Sequence, residues 1–500
     1  MVEVQERHKR SPDFNERYYI CRGSEGFYSN FNITVKYSKD FSNALLANAI
    51  KMMIRKNSWL AHNFFKEPGT DSEAHNGHNW TLRIIKRIVF DEVVSFRKIE
   101  RFDKLALEQL NEVRFQMDVE KPLWKIIVWE EANNEDKLIS VCFDHSQYDG
   151  LSGVQFQKDL SKEMALLCED DGHNVVFQML EPIILFDYER DFEYLPKSIM
   201  GSAELATDLY TPPVSSVIDH HLRTYLPLYQ KVADKSWWWW WWWSSASKSS
   251  ASATSLKIWT NPEPVKKDLS TAYEIFKLDA VVMEKLMQFC RSQKVTLTTL
   301  LDIVAVKALQ NSVFKATHGD EPIGSDSYVA INGRRYYSED IQNFKYGTMV
   351  CGHHILLPPI ENLNAAMQEF SDKLCSGIKS RNSFKEIGMM QFSNAWKFLN
   401  NKIGKVGGGR PSMTISNLGK VQNSNDIYQF KDMYFGANAG VMYNFVLNCL
   451  TLPSNEMTII FAYLPQFNSL KLGSTSAIEE FSKLFIKYIN EISQQSSKTQ

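Results

Sequence analysis

The sequence predicts a mixed α/β protein of two domains, and three observations lead to this prediction. The chain has 500 residues, more than the roughly 250–300 at which one hydrophobic core stops growing. Runs with a period of two alternate along the chain with runs that place apolar residues at helical spacing. A low-complexity stretch interrupts this pattern near the middle. We therefore expect one domain over residues 14–215, a loop over residues 216–260 and a second domain over residues 261–495.

The N-terminal region mixes predicted strands and helices. Aromatic and β-branched residues alternate over residues 16–20 and 31–37, which predicts two strands. A further helix is expected after residue 150, with Ser152 as its N-terminal cap. By the same criteria, the other elements of this region are strands over residues 124–129 and 138–143, an acidic loop between them over 130–136, and helices over 42–56 and 105–113.

The C-terminal region again mixes both element types. A helix over residues 300–309 is apolar on all sides, so we expect it to be buried. The last helix, over residues 478–492, carries one apolar stripe, which indicates packing on its own domain or, as the alternative, docking on a lipid surface. The remaining predicted elements are a helix over residues 278–289 and strands over 328–331, 349–357, 413–416, 445–450 and 457–463.

The low-complexity stretch contains seven consecutive tryptophans, Trp237 to Trp243, followed by a Ser/Ala/Lys tract over residues 244–255. A run of one residue type without amphipathic spacing favours a mobile interdomain loop. Tryptophan also settles at membrane interfaces, so membrane contact and a defined binding site are the alternatives.

Bulk composition excludes several classes of protein. The net charge is −2, from 56 basic and 58 acidic residues, so a nucleic-acid partner is not expected. Seven cysteines without a C-x-x-C pair predict neither a zinc finger nor a disulfide framework, but reduced thiols. The charged N-terminus lacks the apolar core of a signal peptide, and no apolar run reaches the roughly 18–20 residues of a membrane helix. We expect a cytoplasmic monomer, with any membrane contact peripheral.

The segment from His145 to Gly150 is the strongest candidate for chemistry. It reads His-Ser-Gln-Tyr-Asp-Gly and directly follows a predicted strand. A neutral imidazole with a pKa near neutrality can act as a general base. Asp149 is interpreted as a structural carboxylate that pairs with an arginine elsewhere, and Gly150 as the residue that permits a tight turn. The alternative is an ordinary histidine on a loop.

This segment resembles the H-x-x-x-D-G signature of the superfamily of chloramphenicol acetyltransferase, plant acyl-CoA acyltransferases and condensation domains. Within it, the chain is most similar to the fungal alcohol O-acetyltransferase family, and its N-terminal segment is nearer to a branch of that family that acetylates the amine of sphingoid-like compounds. The resemblance covers most of the chain. It rests on residues 17–31 with Gly-Phe-Tyr-Ser-Asn-Phe, residues 138–160, Ala-Ile-Asn-Gly-Arg at 330–334, Lys-Tyr-Gly at 345–347, Ile-Ser-Asn-Leu-Gly at 415–419 and Tyr-Phe-Gly at 434–436.

The resemblance implies two chloramphenicol-acetyltransferase-like domains around a central tunnel. It makes His145 the catalytic base and Asp149 the acid that orders the loop. Arg334 occupies the position that pairs with this acid in relatives, and Arg335 beside it is the rival partner. Losing one partner of such a buried pair costs about 3–5 kcal/mol.

The resemblance also implies direct acetyl transfer from acetyl-CoA as cosubstrate, with no permanently bound cofactor. The acceptor is expected to be a hydrophobic alcohol or amine. Ser416 is the expected donor to the oxyanion, with Asn417 as its rival. Lys405 and Arg410, which flank three glycines, are candidates for binding the 3′-phosphate of coenzyme A, although a flexible loop explains them equally well.

Other patterns favour simpler interpretations. His353 and His354 stand near Cys351, but no acidic residue lies at ligand spacing, so strand residues are expected and no metal. The chain has neither a Walker sequence nor a G-x-S-x-G elbow. Asp144 stands where condensation enzymes carry a second histidine, which disfavours a carrier-protein substrate. A catalytically inactive member that binds lipid or acyl-CoA is the remaining alternative. We expect the protein in the cytoplasm or peripherally at endoplasmic reticulum or lipid droplets.

Overall fold

The structure is a computed structural model that describes residues 9–132, 137–170, 182–195, 201, 206–225, 256–337 and 345–495. Its strands are β1 Lys9–Arg10, β2 Phe31–Tyr37, β3 His62–Lys66, β4 Trp80–Ile84, β5 Arg87–Val89, β6 Val94–Ile99, β7 Trp124–Glu131, β8 Lys137–Phe143, β9 Ile184–Asp187, β10 Ala272–Leu278, β11 Ser325–Asn332, β12 Val350–Leu357, β13 Met413–Lys420, β14 Phe430–Ala437, β15 Phe445–Thr451, β16 Met457–Tyr463, β17 Lys471–Leu472 and β18 Thr475–Ser476.

The helices alternate with these strands. They are α1 Phe14–Ser24, α2 Asn43–Lys56, α3 Phe90–Val93, α4 Lys104–Asn111, α5 Gly150–Asp170, α6 Tyr188–Asp191, α7 Thr207–Tyr210, α8 Val214–Tyr225, α9 Ala280–Gln293, α10 Leu297–Leu309, α11 Lys315–His318, α12 Leu363–Ser380, α13 Asn382–Gly388, α14 Ala395–Asn400 and α15 Ala477–Gln495.

Two sheets organise the molecule, and one strand ties its two halves together. The sheet of the N-terminal half has the order β14-β2-β8-β7-β6. Its edge strand β14 comes from the C-terminal half and pairs antiparallel with β2. The sheet of the C-terminal half has the order β10-β16-β15-β13-β11-β12. The expected bounds of the second domain therefore contain a strand that belongs structurally to the first sheet.

The strand predicted over residues 16–20 is wrong, because this segment lies in helix α1. Asp13 and Glu16 form a capping box: the Asp13 carboxylate accepts from the Glu16 N–H, and the Glu16 carboxylate accepts from the Asp13 N–H, both at 2.8 Å. Arg10 also donates to Glu16 at 2.6 Å. These bonds satisfy N–H groups that a helix start leaves unpaired, and they outweigh the local strand propensity of the tyrosines.

The C-terminal helices pack as their apolar patterns predict. Helix α10 is buried almost throughout, and the stripe of α15 lies in the same core through Phe481, Phe485 and Ile489. Within the described residues, Leu297–His318 is the one helix whose length and composition would suit a membrane span, and 72% of its most apolar window is buried inside the structure. Its hydrophobicity is accounted for by this core.

The predicted interdomain loop is structured at both described ends. Helix α8 begins at Val214, after Pro213, which suits the first turn of a helix. Trp259 is buried in the C-terminal core and stacks on Phe314 at 4.5 Å. The tract Trp237 to Trp243 and residues 133–136 of the predicted acidic loop lie outside the described residues.

Candidate active site

His145 lies on the short turn between strand β8 and helix α5. Its ring is held among aromatic side chains: Tyr19 stacks on it at 4.5 Å between centroids, and Phe31 and Tyr28 contact it edge-on at 5.2 and 5.8 Å. Its Nδ1 is buried and has no hydrogen-bond partner on another described residue. Nε2 is thus the nitrogen that can face the adjacent cavity.

The surroundings keep this imidazole neutral. Burial is the largest effect and, with the positive charge of Arg22, lowers the pKa of His145 to about 4, against a smaller opposing effect of Asp149. A neutral imidazole can accept a proton, so His145 has the protonation state of a general base at neutral pH.

The low pKa of His145 predicts that turnover persists at a lower pH than an ordinary histidine base would allow. Because the base works only when deprotonated, kcat/KM for an uncharged acceptor should stay constant as the pH falls from about 7.5 to about 5. It should decline once the pH approaches the His145 pKa of about 4. The measurement is initial-rate kinetics across this range, with intrinsic fluorescence at each pH to show that the protein remains folded. A half-maximal rate near pH 6.5, with the fold intact, would contradict the assignment.

Asp149 orders the loop, because both oxygens of its carboxylate accept hydrogen bonds from neighbouring residues. Its Oδ1 accepts from the Ser152 N–H at 2.9 Å, so Asp149, and not Ser152 as expected, caps helix α5. Its Oδ2 accepts from Arg334 Nη1 at 2.6 Å and from the Met349 N–H at 3.0 Å. Burial, the largest effect, would raise the pKa of Asp149, but the charge of Arg334 and these hydrogen bonds together hold it below its ordinary value.

Arg334, and not its rival Arg335, forms the ion pair with Asp149. Both side chains are largely removed from solvent, at 13% and 5% exposure. Arg334 Nη2 also donates to the Ser152 hydroxyl and the Gly347 carbonyl. Close by, the Thr348 hydroxyl donates to the His145 carbonyl at 2.7 Å. The C-terminal half thus fixes the turn that carries His145.

Gly150 was expected to permit a tight turn, but it lies in a helix and leaves space for the side chain of Leu418. It is the first residue of α5, and a Cβ at this position would lie 2.6 Å from Leu418 Cδ2. Leu418 follows Ser416 and Asn417 on β13. The glycine therefore lets the second-domain strand approach the histidine loop closely.

A cavity of about 410 Å³ lies between the two halves and brings the predicted residues together. Residues from both halves line it, which agrees with the expected central site. The residues predicted from the sequence that line it are His145, Asp149, Gly150, Arg334, Arg335, Ser416 and Asn417.

The side chains of Ser416 and Asn417 differ in their hydrogen bonds to the rest of the protein. The Asn417 amide donates to the Thr298 hydroxyl at 3.2 Å, and its oxygen accepts from the Gly419 N–H at 2.9 Å. Among the described residues, none forms a hydrogen bond with the Ser416 hydroxyl. Of the two predicted oxyanion donors, Ser416 is therefore the one left available to a ligand.

Lys405 and Arg410 do not line this cavity. Arg410 is buried, and its Nε donates to the Val441 carbonyl at 2.7 Å, which gives it a role in holding the loop. Lys405 is exposed beside it. Coenzyme binding by these two residues stays a prediction that the cavity does not support. The two histidines on β12 are strand residues as expected, with His354 paired to Asp326 at 3.0 Å.

Among the other cavity residues, which the sequence did not predict as site residues, are Tyr19, Arg22 and Asn448. Tyr19 and Arg22 are on α1, of which residues 16–20 were predicted to be a strand. Asn448 is fully buried, and neither polar atom of its amide has a partner. It pairs with Ser416 in the β13–β15 register, on the same face. An asparagine inside the apolar run Phe-Val-Leu-Asn-Cys-Leu was the available signal.

His145 and Ser416 line one cavity at the junction of two α/β halves, an arrangement that fits an acyltransferase of the chloramphenicol acetyltransferase-like class. A model of the alcohol acetyltransferase family matches residues 14–489, so the chain belongs to that family. The chain is 22% identical over 549 residues to alcohol O-acetyltransferase 2 of Saccharomyces cerevisiae, covering 97% of this chain and 96% of that protein.

Solved structures support the fold. Trichothecene 15-O-acetyltransferase from Fusarium sporotrichioides superposes with a TM-score of 0.62 at 9% identity, covering 97% of this chain and 95% of the other. The first condensation domain of the CDA synthetase superposes with a TM-score of 0.57 at 12% identity and the same coverage. The predicted fold of two chloramphenicol-acetyltransferase-like domains is confirmed.

Proposed function

We propose that the protein transfers the acetyl group of acetyl-CoA to the hydroxyl of a hydrophobic alcohol, with His145 as general base. The observation that carries this proposal is the cavity in which a neutral His145 and the unengaged Ser416 hydroxyl meet. Family membership supplies the acetyl donor and the class of acceptor. Apolar cavity residues such as Phe31, Ile331 and Val446 suit a hydrophobic acceptor.

The proposed reaction is a direct transfer. His145 removes the hydroxyl proton as the acceptor oxygen attacks the thioester carbonyl, which forms the new C–O bond and a tetrahedral oxyanion. The oxyanion collapses, the C–S bond breaks, and the imidazolium returns its proton to the departing thiolate. The products are the acetyl ester and free coenzyme A, and His145 ends neutral.

The Ser416 hydroxyl is proposed to donate to the oxyanion. Replacing it in the Ser416→Ala variant should lower kcat by about 10²–10³-fold, the usual effect of removing one such donor. KM for the alcohol should change little if the bond forms only in the transition state. Steady-state kinetics on one alcohol would measure both constants. The matched control is Ser412→Ala, since Ser412 is on the same stretch of chain but bonds to the Trp259 carbonyl.

The function itself is tested with labelled acetyl-CoA and a lipid extract. The purified protein should release coenzyme A only when acceptor is present, and the labelled product should be an ester. A labelled amide would instead support the amine-acetylating branch. Calorimetric binding of acetyl-CoA without turnover of alcohols or sphingoid bases would overturn the enzymatic proposal in favour of an inactive binding protein.

A further inference from the structure

Arg22 is a buried positive charge beside the catalytic histidine. Its side chain extends from α1 into the wall of the cavity, and only 4% of the residue is exposed. Four tyrosine rings surround the guanidinium, at 4.5 Å (Tyr28), 5.4 Å (Tyr19), 5.7 Å (Tyr18) and 6.0 Å (Tyr443) from Cζ to the ring centroid. A guanidinium stays protonated in proteins, so this charge is permanent.

No carboxylate in the described part of the chain lies within 4 Å of this guanidinium, and its Nε has no acceptor there. The Tyr18 hydroxyl is within hydrogen-bonding reach, but burial keeps it a neutral phenol, with its pKa raised to about 12. The two nearby acids have other partners: Asp149 pairs with Arg334, and Asp144 accepts from the Ser146 N–H and hydroxyl.

The buried Arg22 guanidinium lacks a negatively charged partner among the described residues. Interactions with aromatic rings offset only part of the free-energy cost of burying a cation. A buried charge without a counter-charge remains strongly unfavourable. Guanidinium binds carboxylates through two parallel hydrogen bonds, which is the pairing that the fold itself does not supply.

We propose that Arg22 forms a subsite for a carboxylate carried by the acceptor, close to the hydroxyl that becomes acetylated. This inference rests on the proposed function and narrows its acceptor to a hydroxycarboxylic acid with an apolar body. The Tyr19 ring contacts both groups, with its centroid 5.4 Å from Arg22 Cζ and 4.5 Å from the His145 centroid. The guanidinium and imidazole are therefore at most roughly 10 Å apart, a span that a short carbon chain covers.

The neighbouring side chains fit such a ligand. Burial raises the pKa of the Tyr28 hydroxyl above its ordinary value, so it stays protonated and able to donate to a carboxylate. A protonated amine placed here would meet a like charge in a medium of low polarity, which is unfavourable. The same charge that attracts the acid therefore disfavours an ammonium group.

The test compares 6-hydroxyhexanoate with its methyl ester at pH 7. In the unmodified protein, kcat/KM should be about tenfold to hundredfold higher for the acid, the size expected of hydrogen bonds to a charged group. In Arg22→Gln this ratio should fall to near one, with turnover of the ester retained. Arg22→Lys should keep part of the preference, because it keeps the charge but not the paired geometry. Arg335→Gln removes an exposed arginine of the same cavity and is the matched control.

Three outcomes would overturn the inference. The first is that the unmodified protein uses the acid and the ester equally. The second is that Arg22→Gln slows turnover of both compounds by the same factor. The third is that Arg335→Gln, and not Arg22→Gln, abolishes the preference for the acid. Calorimetry with hexanoate and hexanamide gives a readout that needs no turnover: hexanoate should bind more tightly, and Arg22→Gln should remove the difference. If hexanoate shows this pattern while no alcohol, including long-chain alcohols, is acetylated, the proposed function fails and the subsite stands.

Discussion

Replacing His145 with alanine should lower kcat by at least about 10²-fold, because general-base catalysis contributes about 10²–10⁴-fold. The burial that lowers the pKa of His145 to about 4 keeps its ring neutral, so the whole population is competent at pH 7. In His145→Ala, no other base takes over, since the adjacent acid Asp149 is held by Arg334. Coenzyme A release from acetyl-CoA, measured with a saturating long-chain alcohol, would report the loss.

Two controls separate chemistry from folding in this experiment. His75→Ala removes an exposed histidine and should keep full activity. His145→Ala should bind acetyl-CoA with unchanged affinity, because the role assigned to the ring is proton transfer and not donor binding. Activity of His145→Ala within about tenfold of the parent would show that another group removes the proton, and the assigned mechanism would be wrong.

The sequence predicted the half of the site that is local in the chain. His145 and Asp149 stand on one turn after one strand, so their spacing suggested a candidate base, and the family resemblance assigned it that role. Arg334 and Ser416 could be named only through resemblance, because their contact with the turn depends on how β11 and β13 lie in the second sheet. That arrangement is a property of long-range packing, which periodicity does not encode.

Arg22 was missed because residues 16–20 were predicted as a strand that ends before Arg22, whereas both belong to helix α1. Its tyrosines favour a strand, and only the Asp13–Glu16 capping box, a pattern of two residues, indicated a helix. As a strand, the segment would alternate its side chains between two faces. As a helix it places Tyr19 and Arg22, three residues apart, on the same face, where both reach the cavity.

Strand β14 was also not predicted, although its Tyr-Phe-Gly sequence contributed to the resemblance. It leaves the C-terminal half and pairs with β2, seating Gly436 opposite Asn32. A Cβ on Gly436 would lie 2.7 Å from the Asn32 side chain, which would have to shift, so a glycine suits this close crossing. The motif is therefore a packing requirement of the junction between the halves, close to where His145 and Ser416 meet.

Breaking the ion pair between Arg334 and Asp149, at the junction of the two halves, should cause the largest loss of stability. Arg334→Met should lower the free energy of unfolding by about 3–5 kcal/mol, because it leaves the Asp149 carboxylate buried without its counter-charge. Arg335→Met, which changes an exposed neighbour, should have an effect within about 0.5 kcal/mol. Urea unfolding followed by fluorescence would compare the variants at pH 7, with kcat measured in parallel.

The double variant Asp149→Asn with Arg334→Met separates two causes of this loss of stability. One is the missing attraction between Arg334 and Asp149, and the other is the Asp149 carboxylate left buried without a counter-charge. Asparagine can still accept from the Ser152 N–H as a helix cap, so the double variant should recover a substantial part of the stability lost in Arg334→Met alone.

The pKa of Asp149 lies below its ordinary value of 3.8, so the contribution of the pair is fully present above that pH and is lost as the pH falls through the lowered pKa. The difference between Arg334→Met and the parent should therefore shrink in strong acid. A difference that is already small at pH 7, or a double variant less stable than Arg334→Met, would mean that the hydrogen bonds from Met349 and Ser152 hold the loop without the arginine. The turn that carries His145 would then be ordered by the N-terminal end of α5, and Arg334 would be dispensable for placing the base.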